Sequence, residues 1–243
     1  MMMNYFSGSH VRPEGTEQVL DREIGDVTGD RVPDTVTLTG QTSAAGSPFI
    51  TGITLVVHSW GDRRTYRVPL RNNAGYQPTL FLGDFTGDSV SDVLVRIDSG
   101  GSGAITFDYV YTFTGGQPKL LFDSEQYNQQ WNYTVNYLDF YRLQVNSPHS
   151  GKSFTVDISS RGKEYLDQIY NPDGTLKKPV QGFVDPLSGL YPIDLERDGT
   201  YELMALQGVS GLYHADRFGY MTNLLKWNGG SWELTQQWFS FLG

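Results

Sequence analysis

An acidic pattern of nine residues occurs three times along the chain, and this repeat restricts the folds that the chain can adopt. Residues 26–34 and 84–92 both read D-x-T-G-D-x-x-x-D, and residues 194–202 form a third version with Glu at its third and ninth positions. Oxygen-bearing side chains therefore stand at positions 1, 3, 5 and 9 of each copy. Three copies in the same phase predict a protein built from similar units, each of which carries one acidic loop.

The side-chain oxygens of these loops favour a hard divalent cation. Ca²⁺ takes roughly six to eight oxygen ligands, and alternate residues of a tightly curled loop can all point toward one ion. We expect a glycine in each loop (Gly29, Gly87 and Gly199) to relieve the curl, because glycine accepts backbone angles that other residues resist. The predicted cofactor is Ca²⁺, with up to three ions for the three loops. The predicted ligands are Asp26, Thr28, Asp30, Val32 and Asp34 in the first loop, Asp84, Thr86, Asp88, Val90 and Asp92 in the second, and Asp194, Glu196, Asp198, Thr200 and Glu202 in the third, with the seventh residue of each loop contributing its carbonyl.

The distribution of charge agrees with metal binding. The chain has a formal net charge of −9, from 27 acidic and 18 basic residues, and ten of the acids lie in the three loops. Carboxylates clustered in this way repel one another unless a cation lies among them. Ordinary Asp/Gly turns are the alternative interpretation. An EF-hand is excluded, because its twelfth position requires a bidentate Glu and these loops have Thr37, Val95 and Ala205 there.

A second signal recurs in phase with the loops. Asp139 stands where the spacing predicts a fourth loop, but Tyr141 and Arg142 follow it instead of carboxylates, so we expect this copy to have lost its metal. In each of the four units an aromatic residue followed by a turn sequence comes 29 to 34 residues after the first acid. These aromatic residues are Trp60, Phe113, Tyr170 and Trp227. Tight hairpins prefer such turn residues, which indicates paired strands on either side of each one.

The pattern of short strands predicts an all-β protein, since runs of β-branched and aromatic residues alternate with turns and no segment has a convincing helical period. A four-stranded sheet of this size cannot bury both faces alone, so the units are expected to pack side by side. The predicted architecture is a small β-propeller of about four four-stranded blades. The whole chain, 1–243, forms one repeat domain in this interpretation, with an N-terminal arm at 1–15 and blades at roughly 16–72, 73–126, 127–184 and 185–243.

The loop sequences DVTGDRVPD, GDFTGDSVSD and IDLERDGTYE resemble the calcium loops of FG-GAP (VCBS-type) repeats, which occur in the integrin α-subunit propeller and in many bacterial surface proteins. The resemblance covers nearly the whole chain. It implies that each loop joins the first and second strands of a blade and holds Ca²⁺ through the ligands named above. Thr28 and Thr86 replace the usual Asn or Asp at position 3, so weaker binding is expected in the first two loops than in the third.

These features predict a calcium-binding, non-catalytic β-propeller that acts as an interaction module outside the cell or at its surface, with a protein or a glycan as its partner. Extracellular calcium modules often bind at about 10⁻⁴–10⁻³ M, and sites of this affinity fill outside a cell but stay largely empty in a cytosol. Nucleic acid is excluded as a partner because no Lys/Arg-rich stripe occurs, and no apolar run approaches the roughly 20 residues of a membrane span. No signal peptide is visible at the N-terminus, and the absence of cysteine excludes a disulfide framework.

Two other functions stay open. Residues 127–133 combine aromatic rings and amides that suit carbohydrate binding, unless Trp131 and Tyr133 are strand residues packed between blades. A hydrolase or lyase built on the same fold is the remaining alternative, although no H-E-x-x-H or G-x-S-x-G motif occurs. The histidines, which lie in unrelated local contexts, are His10, His58, His149 and His214.

Overall fold

The computed structural model describes residues 17–44 and 46–241, and these residues form fifteen β-strands and two short helices. The all-β prediction is therefore confirmed. The N-terminal arm predicted at 1–15 lies outside the described residues, as does His10. None of the helices in the described part of the chain has the length and apolar character that a bilayer span requires.

The first two units form separate four-stranded antiparallel sheets, and both follow the chain order. The first sheet contains β1 (Gln18–Gly25), β2 (Asp34–Thr42), β3 (Ile50–His58) and β4 (Thr65–Pro69). The second sheet contains β5 (Tyr76–Gly83), β6 (Asp92–Asp98), β7 (Thr106–Thr112) and β8 (Lys119–Asp123). The strand count predicted for each of these two units is confirmed.

The apolar patterns of β2 and β6 differ because the first sheet packs on a core with one face and the second sheet with both faces. In β2 buried and partly exposed residues alternate, as expected for a strand with one face on a core. In β6 the apolar residues are consecutive. Val93, Val95 and Ile97 belong to a core shared with the first sheet, whereas Leu94 belongs to a core shared with the third sheet. The second sheet is thus covered on both faces.

The last two units share a single seven-stranded sheet, which differs from the two separate blades predicted for 127–184 and 185–243. Its strands are β9 (Thr134–Leu138), β10 (Arg142–Ser147), β11 (Lys152–Asp157), β12 (Gln181–Ile193), β13 (Glu202–Ser210), β14 (Arg217–Trp227) and β15 (Trp232–Phe241), in the order β11-β10-β9-β12-β13-β14-β15. The start of β12 pairs with β9, and the rest of β12 pairs with β13. The pairing with β13 is interrupted between Val184 and Leu187, where Pro186 has no backbone N–H to donate. The predicted boundary between 184 and 185 therefore falls inside one long strand.

Two short helices lie in or next to the predicted third unit, although the sequence showed no convincing helical period there. Helix α1 (Ser124–Gln130) begins after Asp123, whose side chain accepts a hydrogen bond from the Glu125 amide and caps the helix. Helix α2 (Lys163–Ile169) precedes the predicted aromatic turn at Tyr170. The third unit thus has three strands of its own, β9 to β11, together with these helices.

Three clusters of buried side chains show which sheets contact one another. The first cluster joins the first and second sheets. The second joins the other face of the second sheet to β12–β14, through residues such as Phe85, Leu187 and Leu203. The third lies between β9–β11, helix α2 and the far end of the seven-stranded sheet. The sheets therefore stand in series, with the second sheet between the first sheet and the last unit.

Candidate metal centre

The three acidic loops occupy the same place in three pairs of strands. Residues 26–33 join β1 to β2, residues 84–91 join β5 to β6, and residues 194–201 join β12 to β13. In each case the ninth residue of the pattern is the first residue of the second strand. The recurrence seen in the sequence therefore corresponds to one recurring connection between two antiparallel neighbours.

The three loops also have the same backbone conformation. Positions 4 and 6 have positive φ in every loop, which is the left-handed region that glycine adopts most easily. The residues at these positions, with their φ angles, are Gly29 (80°) and Arg31 (67°), Gly87 (78°) and Ser89 (64°), and Arg197 (58°) and Gly199 (88°). The glycine of the third loop therefore stands at position 6, not at position 4 as in the others. Each loop therefore curls at two residues whose backbone is in the left-handed region, and one of the two is glycine.

The carboxylates at positions 1 and 5 hold the loop backbone. In the first loop, Asp26 accepts hydrogen bonds from the amides of positions 4 and 6 at 2.7 and 2.8 Å, and Asp30 accepts one from the amide of position 7 at 2.8 Å. The second loop repeats these three bonds through Asp84 and Asp88. In the third loop Asp194 accepts from the amides of positions 5 and 6 instead. The acids thus fold the loops whether or not they also bind a cation.

The carboxylates at position 9 are the most buried, and two of them have an oxygen without a partner. Asp34 and Asp92 are both 0% exposed. One oxygen of each accepts hydrogen bonds from the amides of positions 2 and 3, at 3.0 to 3.2 Å. The other oxygen of each, and the hydroxyl of Thr86, are buried with no donor in hydrogen-bond geometry, although the Thr112 hydroxyl is near enough to Asp92 to lower its pKa in part. Burial raises the pKa of Asp92 to about 6. A buried, unpartnered carboxylate oxygen is costly unless a cation or a donor reaches it.

The third loop differs because a lysine from β14 lies against its acids. Lys226 donates to Glu196 Oε2 at 2.7 Å, and its Nζ lies 3.6 Å from Glu202 Oε1. The hydrogen bond with Glu196 raises the pKa of Lys226. One ammonium group therefore contacts the side chains at positions 3 and 9, which were predicted to hold the third calcium ion.

Backbone hydrogen bonds connect the three loops in a row. The Ser91 amide donates to the Asp26 carbonyl at 3.2 Å, and the Tyr201 amide donates to the Asp84 carbonyl at 2.7 Å. Both bonds run from position 8 of one loop to position 1 of the preceding loop. All three loops consequently lie at one edge of the stacked sheets. The second loop stands between the other two.

The side chains of the predicted ligands do not by themselves form a closed cage. Within residues 17–44 and 46–241, no three carboxylate or imidazole groups come close enough together to hold a metal ion. The Thr28 hydroxyl is engaged with Asp34 at 3.0 Å, whereas the Thr86 hydroxyl has no hydrogen bond. In each of the first two loops, two of the five predicted donors are a hydroxyl and a carbonyl, which are neither carboxylates nor imidazoles. The features that fit a cation are the unpartnered oxygens at position 9 of the first two loops and the unpartnered Thr86 hydroxyl of the second.

The fourth copy has lost the loop as well as the acids. Phe140 and Tyr141, both with positive φ, form the short turn between β9 and β10. Asp139 is exposed, and its carboxylate accepts a hydrogen bond from the Leu176 amide at 2.8 Å. Asp139 therefore stabilises a turn, and the absence of metal from this copy stays a prediction.

Residues 127–133 do not present the surface that their composition suggested. Tyr127 and Trp131, which lie on and directly after helix α1, are only 4% and 3% exposed. The hydroxyls of Tyr127 and Tyr133 both accept from the Asn223 amide group, at 2.7 and 2.9 Å. The prediction that Trp131 and Tyr133 lie in a strand was wrong, because the segment forms the end of helix α1 and the connection after it. The accompanying prediction that these aromatic rings pack inside the protein agrees with their burial.

A buried acid at the far end of the third sheet was not found from the sequence. Asp185, 1% exposed, contacts His214 Nδ1 at 2.5 Å, Arg217 Nη2 at 2.8 Å and the Ser210 hydroxyl at 3.0 Å. Asp185 lies in β12, and its partners come from the region of β13 and β14, so no local motif could reveal the group. The guanidinium compensates the buried charge, which gives the cluster a structural role in joining these strands.

Sequence comparison places the chain near proteins without a described activity. Residues 131–240 match a family model described as the YybI C-terminal domain. Over 232 residues the chain is 42% identical to "Uncharacterized protein YybI" of Bacillus subtilis (strain 168), a match that covers 96% of this chain and 88% of that protein. No solved structure matches the chain.

Proposed function

The chain belongs to the YybI family, and we propose that it is a calcium-binding, non-catalytic β-repeat protein that acts as an interaction module outside the cell or at its surface. The observation that carries the proposal is the pair of buried, unpartnered oxygens of Asp34 and Asp92. They stand at the same position of two loops with the same backbone, as ligands of equivalent cations should. Bound calcium would neutralise the acids and tie the first two strands of each sheet together.

The ligands proposed for the first loop are the carboxylates of Asp26, Asp30 and Asp34, the hydroxyl of Thr28 and the carbonyl of Val32. The second loop would use Asp84, Thr86, Asp88, Val90 and Asp92 in the same way. The resemblance to FG-GAP repeats supports this assignment through the loops alone. We propose a role outside the cell because sites with the affinity of about 10⁻⁴–10⁻³ M that extracellular modules often have would fill there and stay largely empty in a cytosol.

For the third loop we propose that Lys226 takes the place of the cation. Its ammonium group already pairs with Glu196 and Glu202, which would otherwise be ligands. The protein would then bind two calcium ions and not three. This proposal reverses the sequence-based expectation that the third loop binds most strongly, because that expectation considered only the residues within the loop.

The Lys226→Gln variant tests this proposal. Removing the ammonium group is expected to free the two glutamates and to raise the number of bound calcium ions from two to three. Equilibrium dialysis or native mass spectrometry in millimolar calcium measures this number directly. Lys163→Gln is the matched control, because Lys163 also pairs with a carboxylate but lies on α2, away from the loops. Three ions in the unmodified protein, or two in the variant, would contradict the role given to Lys226.

The first loop offers a further test at the β3–β4 turn. A Cβ added to Gly61 would lie 1.8 Å from Asp30 Oδ2, so Gly61→Ala must push this carboxylate away. We expect about tenfold weaker calcium binding at the first loop, equivalent to about 1.4 kcal/mol. Isothermal titration calorimetry measures the affinity. Gly115→Ala is the control, since a Cβ at this glycine of the β7–β8 turn would meet nothing within 4 Å. Equal affinities in both variants would remove Asp30 from the ligand set.

We also propose that the units are propeller-type blades, in a small β-propeller of about four units. The first two sheets and β12–β15 would be four-stranded blades, and β9–β11 a reduced one. The common loop position and the packing of successive sheets support this relationship. An experimental structure tests it through the presence or absence of a pseudo-rotation axis that relates the units.

A further inference from the structure

A cavity of about 340 Å³ lies where the second sheet, helix α1 and the β14–β15 turn meet. Its volume is within the roughly 300–1,000 Å³ of small-molecule sites. None of its lining residues belongs to an acidic loop. The cavity is therefore separate from the proposed calcium sites.

Aromatic rings form much of the cavity wall. Trp131, Trp227 and Trp232 all line it, together with Phe122 and Tyr127. Trp227 and Trp232 are half-buried and meet edge to face, with ring centroids 5.4 Å apart and planes inclined by 64°. The two partly exposed rings thus form a corner in the cavity wall. Aromatic faces of this kind pack against apolar faces of a ligand.

The rim of the cavity carries polar groups that are not used by the fold. Gln126, Gln130 and Lys119 are exposed, and within the described segments none of their side chains makes a hydrogen bond or ion pair with the protein. By contrast, the Trp232 indole donates to the Leu121 carbonyl at 2.9 Å, and Asp123 caps helix α1. The uncommitted amides offer both donors and acceptors. Lys119 and Asp123 carry opposite charges, so the lining does not select for a charged ligand.

We propose that this cavity binds a neutral saccharide of one or two pyranose rings. A sugar ring has an apolar C–H face that suits the corner formed by Trp227 and Trp232. Its hydroxyls suit the amides of Gln126 and Gln130. A purely apolar ligand would gain nothing from these amides, and an anionic ligand would oppose the formal net charge of −9. The proposed site includes Tyr127, Gln130 and Trp131 of the segment 127–133, and residues of β8, β14 and β15 complete the cavity.

Tryptophan indole signals in a proton–nitrogen NMR spectrum test the proposal. The chain contains five tryptophans, and Trp60 and Trp238 do not line the cavity. Cellobiose, maltose, lactose and chitobiose are to be added separately, up to millimolar concentrations. With at least one of them, the Trp227 and Trp232 signals are expected to shift while those of Trp60 and Trp238 stay in place. No shift with any of the four, or shifts only at Trp60 or Trp238, overturns the proposal.

Two variants locate the site independently of the spectrum. Trp227→Ala and Gln130→Ala are each expected to weaken binding of the responding disaccharide by at least about tenfold, as measured by calorimetry. Trp60→Ala and Gln129→Ala are the matched controls, since both side chains are exposed and lie outside the cavity. Gln130 is the exposed last residue of α1, so its replacement by alanine should not disturb folding. Gln130→Ala therefore keeps the test decisive if Trp227→Ala fails to fold. Equal affinities in Gln130→Ala and Gln129→Ala would overturn the assignment of the ligand to this cavity.

Discussion

Calcium at 10 mM is expected to raise the melting temperature of this protein by about 10 °C above its value in EDTA. A ligand that binds only the folded state stabilises it by RT ln(1 + [L]/Kd). With dissociation constants of about 10⁻⁴–10⁻³ M, each site contributes about 1.4–2.7 kcal/mol at this concentration. For two sites and a chain of this size, where 1 kcal/mol moves the melting temperature by about 2–4 °C, the shift is of this order. Differential scanning calorimetry measures it.

Magnesium at the same concentration is the control for ionic strength and for general screening of acidic groups. Mg²⁺ demands near-ideal octahedral geometry and gives up its water reluctantly, so these loops are expected to respond to it weakly. A rise that is equal in magnesium and calcium would indicate screening of the negative surface. Identical melting curves in EDTA and in calcium would remove the basis of the proposed function.

The first two units could be predicted from the sequence because their signals are local. The acidic loop, the β-branched strand after it and the aromatic turn lie within one unit, and the structure has a four-stranded sheet for each. The third unit could not be predicted in the same way. Helix α1 is only seven residues long. Its apolar face consists of Tyr127 and, one turn later, Trp131, and two such residues are too few to indicate an amphipathic helix in the sequence. The pairing of β12 with both β9 and β13 depends on strands far apart in the sequence.

For the candidate site, the sequence predicted the loop positions, and the structure adds what surrounds them. The burial of Asp34 and Asp92 follows from their place at the first residue of an inner strand, which a search for ligand spacing does not consider. Lys226 lies 30 residues beyond Glu196 in the chain, so the ion pair appears only when β14 is placed beside β13. Arg197 adopts a positive φ that no composition-based rule would have assigned to it.

The Asp92→Asn variant is expected to change stability in opposite directions with and without calcium. In EDTA, the substitution removes a buried charge with an unpartnered oxygen, so the melting temperature should rise by a few degrees, equivalent to about 1–2 kcal/mol. In 10 mM calcium, the second loop loses a charged ligand, so about half of the calcium-dependent rise should disappear. Melting curves of the variant and the unmodified protein at pH 7.5, where the Asp92 carboxyl with its pKa of about 6 is ionised, give both quantities.

Asp139→Asn is the matched control because Asp139 belongs to the copy that has lost its loop. The asparagine oxygen can still accept the hydrogen bond from the Leu176 amide, so the calcium response of this variant should equal that of the unmodified protein. If Asp92→Asn lowered the melting temperature equally in EDTA and in calcium, Asp92 would act only through the amides of Phe85 and Thr86, and the second loop would not be a metal site. If both variants reduced the calcium response by the same amount, the effect would come from the change of net charge and not from a lost ligand. The opposite signs predicted for Asp92→Asn therefore separate a ligand from a residue that only shapes the loop.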